Sequence, residues 1–391
     1  MKSFVPLLLA LALGAGQASH AIAASSIHHT SAKAAAKSAK AGKAGKTALK
    51  AGKKGKAAKA APAPRRPAID YDGEQVNFGE WQAVRDFEDD MVNRNGFERA
   101  EVEAVVAKLR FIDSAVQLVK PAPPGKPKNW QAYSERFIEP IRINAGVRFW
   151  NENAAELARA EALYGVPAEI IAGIIGVETI YGRDTGRFRV MDVLATLAFA
   201  YPESPNRNDR MQFFRSELEK TMLLARKESI DPFSLLGSFA GAVGMPQFMP
   251  SNILKYGVDF DGDGIVDLRN SPADAIGSVA NFLVAHGWDR NATGPSVFPA
   301  DVAPSLAWEP LLGGLEARYQ AAELQGAGVV TRTALPEQRS YGLIDLQNGA
   351  DPTEYWVANA NFFAITKYNR SYFYAMSVVE LGRAVRLARD N

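Results

Sequence analysis

From Phe78 to Leu224 apolar residues return at three- and four-residue spacings, as in Phe87 and Met91 and then Val102, Val105, Val106 and Leu109. That period is one face of an α-helix and restricts the chain to a mainly helical fold, since a half-buried strand needs alternation at every second residue. The Pro-rich residues 121–130 interrupt it as a loop. The period resumes through Ile141 to Tyr164, begins again at Pro167, and continues past Met191 to Leu224. Between about residues 295 and 360 it loosens into short runs such as SYGLIDLQ and EYWVAN broken by Gly and Pro, which reads as a small β-containing subdomain. Ser371 to Leu387 is helical again. The fold class expected is mainly α (α+β): an α-rich core, a small β-containing insertion and a closing C-terminal helix.

Nothing before Pro67 can join that core. From Ser31 to Arg66 the chain is almost wholly Ala, Lys, Gly and Pro, without an acid or a large apolar side chain. Ahead of it, Lys2, the apolar run Val5 to Leu13 and the small-residue stretch ending Ala21-Ile22-Ala23-Ala24 have the form of a secretory signal. As a membrane anchor the run falls short of the roughly 20 apolar residues a bilayer requires. The expected organisation is a signal peptide over residues 1–23, a disordered Lys/Ala-rich tail over 24–66 and one folded domain over 67–391. The chain is expected to be exported, to the periplasm or cell envelope of a bacterium.

Charge is divided along the same boundary. Residues 25–66 hold ten Lys and two Arg against no acid; with Lys2 they carry +13, so a chain of net +2 leaves −11 from Pro67 onward. A cationic tail precedes an acidic globule. The tail reads as a solvated linker or as an adhesive for envelope polyanions; nucleic acid is disfavoured by export and by the acidic globule. There is no cysteine, which excludes disulfides, a thiolate metal site, a cysteine nucleophile and a lipid-bearing cysteine. A structural metal, if there is one, is expected to be held by oxygen.

In YGVPAEIIAGIIGVETIYG, Pro167 suits the first turn of a helix and Gly182 its end. Ile171, Ile174 and Ile175 lie seven, four and three residues before Glu178, so all four side chains share a face. A carboxyl that continues an apolar stripe is partly desolvated, and desolvation raises its pKa toward what a general acid needs at neutral pH. The same spacing fits a solvated glutamate at the rim of the stripe, so spacing alone leaves both open.

Two further segments carry candidate chemistry. GSFAGAVGMPQFMPS sets Gly237, Gly241 and Gly244 around Ser238 and Gln247, which lets backbone approach a ligand closely, although Ser238 also fits an N-cap. VDFDGDGIVDL places Asp259, Asp261 and Asp263 at positions 1, 3 and 5 of an EF-hand-type loop, with Gly264 at 6 and the Ile265 carbonyl at 7. Three carboxylates so close repel one another unless a cation compensates, and Ca2+ is the natural one. Position 12, normally glutamate, is Asn270. No organic cofactor is expected.

GVPAEIIAGIIGVETIYG followed by MDVLATLAFAYP, then GSFAGAVGMPQFMPSNILKYGVDFDGDGIVDL, DAIGSVANFLVAHGW and NFFAITKYNRSYFYAM, closely resembles the membrane-bound lytic murein transglycosylase B family over roughly residues 70–390. The resemblance implies a lysozyme-like fold and cleavage of peptidoglycan between N-acetylmuramic acid and N-acetylglucosamine, with a 1,6-anhydromuramic product. It matches Glu178 to the catalytic glutamate, Ser238 and Gln247 to the sugar site, and Asn369 and Tyr374 to the active site, where Tyr374 would polarise the carboxyl or the substrate. It implies that Asp274 completes the calcium cage, with one extra residue intervening; Asp274 also fits a capping partner of Ser271. Asn369 further reads as a helix cap, and Tyr374 as a core aromatic. Tyr181, Phe248 and Tyr355 are candidates to stack on sugar faces. One departure stands out: the family commonly carries two arginines after AFAYP, whereas YPESPNRNDRMQFF keeps Arg210 and has Asp209 in place of the other. A hydrolytic muramidase would need a second carboxyl, such as Asp184 or Glu203. A catalytically inactive wall-binding scaffold would be indifferent to losing Glu178.

Overall fold

A computed structural model describes residues 69–120 and 127–391; the expected signal peptide, the basic tail and residues 121–126 lie outside the described residues. The chain is mostly helical, with small antiparallel sheets. It opens with β1 (Glu74–Gln75), α1 (Gln82–Asn95), α2 (Arg99–Val106), β2 (Arg110–Phe111), α3 (Asp113–Leu118) and α4 (Trp130–Ser134), β1 pairing with β2. Next come α5 (Pro140–Glu152), α6 (Ala154–Tyr164) and α7 (Ala168–Thr179). Glu139 caps α5 by accepting the Ile141 and Arg142 amides at 2.8 and 2.7 Å, and Pro140 occupies the first turn.

The periodicity running past Met191 to Leu224 is two helices rather than one, α8 (Val190–Ala200) and α9 (Arg207–Lys227). The break follows from Pro202, which drives Tyr201 to an extended ψ of 139°. Strand β3 (Phe188–Arg189), just before α8, pairs with β4 (Leu236–Gly237), after α9. Then follow α10 (Pro250–Tyr256) and α11 (Pro272–Ala285).

The β-containing part is a four-stranded antiparallel sheet of β5 (Val297–Val302), β6 (Val329–Thr331), β7 (Tyr341–Asn348) and β8 (Asp351–Asn359), in the order β6-β5-β8-β7, with α12 (Ala321–Gly326) between β5 and β6. One face has its own small core of Phe298, Trp308, Leu324, Val329, Tyr341, Leu343 and Val357. The chain ends in α13 (Ala360–Ile365) and α14 (Tyr372–Asp390).

Helix α7 is the centre of the helical part. Every residue from Ile170 to Val177 is buried, and α5, α6, α11 and α14 pack around it. Its approach to α14 is backbone to backbone. A Cβ on Gly173 would lie 2.3 Å from the Val378 carbonyl oxygen, and one on Gly382 would lie 2.1 Å from that of Glu169. Only glycine permits this spacing, and it brings the first turn of α14 alongside the last turn of α7.

Helix α7 ends at Thr179, not at Gly182, and Pro167 is its N-cap. Two non-glycine residues, Ile180 at φ 52° and Tyr181 at φ 57°, adopt the left-handed conformation before Gly182 at φ 83°. Each such residue costs on the order of 1–3 kcal/mol, and for a β-branched isoleucine the conformation is a genuine outlier. Packing offsets the cost. The reversal drives the Tyr181 ring against Phe149, centroids 5.1 Å apart, with its hydroxyl lodged where a Cβ on Gly146 or Gly176 would otherwise sit.

Candidate active site

Glu178 occupies the last turn of α7 and Tyr374 the first turn of α14. The Tyr374 hydroxyl donates to Glu178 Oε1 at 2.6 Å. Burial pushes the Glu178 carboxyl up to about 7, opposed by the Tyr374 hydrogen bond, which favours the charged form. The group is therefore divided between acid and carboxylate at neutral pH. Burial, and then the charge of Glu178, hold Tyr374 well above the ordinary phenol range. It stays a donor.

Two tyrosines not singled out in the sequence join this pair. Tyr368 stacks on Tyr374 with centroids 6.3 Å apart and planes 20° from parallel, and its buried hydroxyl has no partner among the described residues. Burial and Glu178 raise it well above its ordinary value. Tyr133 on α4 packs on Phe373 at 5.4 Å and is pushed up to about 12 by burial and by Glu178. The carboxyl is surrounded by neutral phenols.

The helix end that aims Glu178 is pinned from two sides. Arg142 Nε donates to the Gly176 carbonyl at 2.8 Å and its Nη1 to the Arg136 carbonyl at 2.6 Å, so α5 satisfies a carbonyl in the last turn of α7. Thr179 Oγ1 donates to the Met245 carbonyl at 2.9 Å. Met245 belongs to the glycine-rich loop, whose Val243 and Phe248 backbones exchange hydrogen bonds of 2.8 and 3.1 Å.

Within that loop, Ser238 is buried, and its hydroxyl accepts the Ala240 and Ala242 amides at 3.3 and 3.1 Å, closing a turn rather than capping a helix. Gln247, also left-handed at φ 51°, donates Nε2 to the Gly244 carbonyl at 2.9 Å and to the Thr185 carbonyl at 3.2 Å. Both donated bonds fix the amide plane. The carbonyl oxygen of the side chain has no donor among the described residues.

Several expectations need correction. Phe248 is 1% exposed and packs against Phe282 and Tyr368, so it has no face free for a sugar. The Tyr181 ring is a wedge between α5 and α7. Tyr355, on β8, packs edge-on to Trp308 at 4.9 Å in the sheet's own cluster. Asn369 is not the cap of α14: Ser371 is, its Oγ accepting the Tyr374 amide at 3.3 Å, while Asn369 offers its backbone carbonyl to the Ser371 amide. Arg210 lies on α9 with its guanidinium 5.0–5.6 Å from the rings of Tyr201, Phe213 and Phe214, held as a buried cation among aromatics. Neither proposed second carboxyl contributes to the shift of Glu178: Glu203 has a 93% exposed side chain pairing with Arg207, and Asp184 is exposed.

In the acidic loop one carboxylate oxygen from each of Asp259, Asp261 and Asp263 lies within 4.8 Å of the others. That spread suits oxygens sharing one cation at 2.3–2.6 Å. Asp259 accepts the Gly262, Asp263 and Gly264 amides at 2.7, 3.1 and 2.8 Å, which holds it ionised and below its ordinary pKa. Ile265 follows in the exposed loop. Asp274 is 1% exposed and stands outside this cluster; its carboxylate accepts the Phe260 and Asp267 amides at 2.7 and 2.8 Å, and its own amide donates to Ser271 Oγ at 3.2 Å, capping α11. It braces the loop from behind. The brace reaches the glycine-rich loop, because the Met245 amide donates to the Leu268 carbonyl at 2.8 Å.

Residues 79–383 match the family model described as Transglycosylase SLT domain. The chain is 42% identical over 315 residues to membrane-bound lytic murein transglycosylase B of Escherichia coli (strain K12), covering 78% of this chain and 83% of that protein. It is similar to the solved structure of the Escherichia coli lytic transglycosylase Slt35 in complex with calcium, with a TM-score of 0.71 and 40% identity, over 82% of this chain and 97% of the other. It is also similar to SltB3 from Pseudomonas aeruginosa in complex with NAG-anhNAM-pentapeptide, with a TM-score of 0.66 and 28% identity, over 78% and 80% of the two chains.

Proposed function

This chain belongs to the membrane-bound lytic murein transglycosylase B family and is a lytic transglycosylase acting on peptidoglycan; within that activity we propose that Glu178 is the single catalytic carboxyl, acting first as acid and then as base. The observation that carries this is one partly desolvated carboxyl with a pKa of about 7 and no carboxylate partner contributing to its shift. An enzyme using a second carboxyl as nucleophile or base would place one beside it.

In the proposed sequence the Glu178 proton passes to the glycosidic oxygen as its bond to C1 of N-acetylmuramic acid breaks. The resulting carboxylate takes the proton of the C6 hydroxyl of that same sugar, and O6 bonds to C1. No water enters, and Glu178 ends as it began. The nucleophile is intramolecular, so its effective concentration is high without an activated water. Tyr374 orients the carboxyl and stabilises its charged form between the two steps. The free carbonyl of Gln247 and the side chain of Asn369 are the groups we assign to hold the N-acetyl substituent. Ser238 shapes the loop that carries Gln247.

The Asp259, Asp261 and Asp263 carboxylates, with the Ile265 carbonyl, would hold Ca2+, which stiffens the loop and supplies no step of the chemistry. A related enzyme crystallised with calcium supports this ligand. We assign the enzyme to the bacterial envelope after export, without a lipid anchor on cysteine since none is present, and with residues 24–66 as a tether to envelope polyanions.

The test is mass spectrometry of purified peptidoglycan digested with the wild type and with Glu178→Gln. Wild-type fragments lighter by one water than hydrolytic muropeptides, absent with Glu178→Gln, are expected. Water-added products would make the enzyme a muramidase, and turnover by Glu178→Gln would remove the assigned residue.

A further inference from the structure

A polar cleft lies between the sheet and the segment that leads into α14. It has a volume of about 390 Å³ and is walled by the loop from Pro310 to Tyr319, the start of β7 and the segment that holds Lys367 and Arg370. Three cations face it, Arg318, Lys367 and Arg370, against one acid, Glu316. Glu316 pairs with Arg318 at 3.1 Å. Lys367 reaches only the Leu315 carbonyl, at 3.5 Å, and Arg370 has no hydrogen-bonding partner among the described residues. Two positive charges are therefore left for a ligand.

The setting makes this notable, because the globule from Pro67 onward carries −11 and should repel a polyanionic substrate. The place also ties the cleft to the chemistry. Lys367 and Arg370 bracket Tyr368 and precede Tyr374, the two phenols stacked beside Glu178. The Tyr372 hydroxyl, in the first turn of α14, donates to the Gly314 carbonyl and so joins the cleft wall to the helix that carries Tyr374.

We propose that this cleft binds the carboxylates of the peptide stem borne by the glycan strand, with Lys367 and Arg370 as the principal contacts. The inference rests on the lytic transglycosylase reading and adds a specificity site to it. It also supplies what the sequence lacks after AFAYP, where Asp209 stands and Arg210 is enclosed by aromatic rings. Guanidinium and ammonium groups without a competing carboxylate partner suit carboxylate recognition.

The experiment compares release of anhydro ends from stem-bearing glycan strands and from strands stripped by an amidase, which keep only the lactyl carboxylate. The ratio of kcat/KM on the two substrates is measured for the wild type, for Arg370→Gln and for Lys367→Gln/Arg370→Gln. The wild type is expected to prefer stem-bearing strands, the double variant to lose that preference about tenfold and the single variant part of it. Added salt should weaken the preference in the wild type more than in the double variant. An unchanged ratio in both variants overturns the proposal, as does an equal loss on both substrates, which would assign the cleft to the lactyl carboxylate. A wild type that releases no anhydro ends from either substrate would instead overturn the functional reading and this inference with it.

Discussion

Thr179, the residue after Glu178, accepts the Gly182 amide at 3.0 Å while donating to the Met245 carbonyl at 2.9 Å. One buried hydroxyl thus joins the reversed end of α7 to the loop that presents Gln247. Thr179→Val preserves the shape and removes both bonds. Leaving buried polar groups unpaired should cost about 1–3 kcal/mol, seen as a lower urea midpoint with an unchanged slope, and kcat should fall with it. Unchanged turnover would separate the loop from the aim of Glu178.

The raised pKa of Glu178 has a cost in stability with a defined sign. Its folded value, about 7, lies above the ordinary 4.5, so its contribution is fully present below about 4.5 and is lost as pH rises through about 7. The loss is on the order of 3 kcal/mol. Glu178→Gln cannot ionise, and its stability relative to the wild type should grow between pH 4.5 and 7 and then level off. Urea unfolding at pH 4.5, 6 and 8 checks this; a constant difference refutes it. Wild-type kcat/KM should decline above about pH 7 as the acid form disappears.

Tyr374→Phe removes the one bond that favours the carboxylate. The alkaline limb of the pH–rate profile should move upward, and the rate at its optimum should fall about ten- to hundredfold, as expected for a hydrogen bond to a charged group. A residue that served only packing would leave the limb where it was.

Calcium should raise the melting temperature without being consumed in turnover. At a hundredfold excess over Kd the stabilisation is about 2.7 kcal/mol. Asp261→Asn/Asp263→Asn should abolish the response, and magnesium should give less of it, since it demands a tighter octahedron than this loop provides. Differential scanning calorimetry in calcium and in chelator reads the effect; an identical shift in the variant would place the ion elsewhere.

What could be read from the sequence was what local pattern records. The helical period marked α7, and the isoleucines in register with Glu178 allowed its desolvation without deciding it, since a solvated rim glutamate has the same spacing. The aspartates of the acidic loop declared themselves by spacing. The partnership of Glu178 with Tyr374 spans 196 residues and came only through resemblance, because no local rule connects them. Tyr133, Tyr368 and Arg142 were missed for the same reason: their significance is a position in space. Phe248 shows the converse, since a ring destined for the core and a ring destined for a sugar look alike in a sequence. The end of α7 was misplaced because Gly182 is the locally favoured stop, and tertiary packing of Tyr181 overrode that preference.

The reversal at Ile180 and Tyr181 also bears on how this protein would respond to selection. Ile180→Gly would relieve a strained left-handed residue, so a screen for heat resistance alone should enrich it. The same change slackens the turn that fixes the glutamate beneath it, and the survivors of such a screen should be sturdier and slower. Thermal resilience and turnover pull this position in opposite directions, and only a screen that scores both would keep isoleucine.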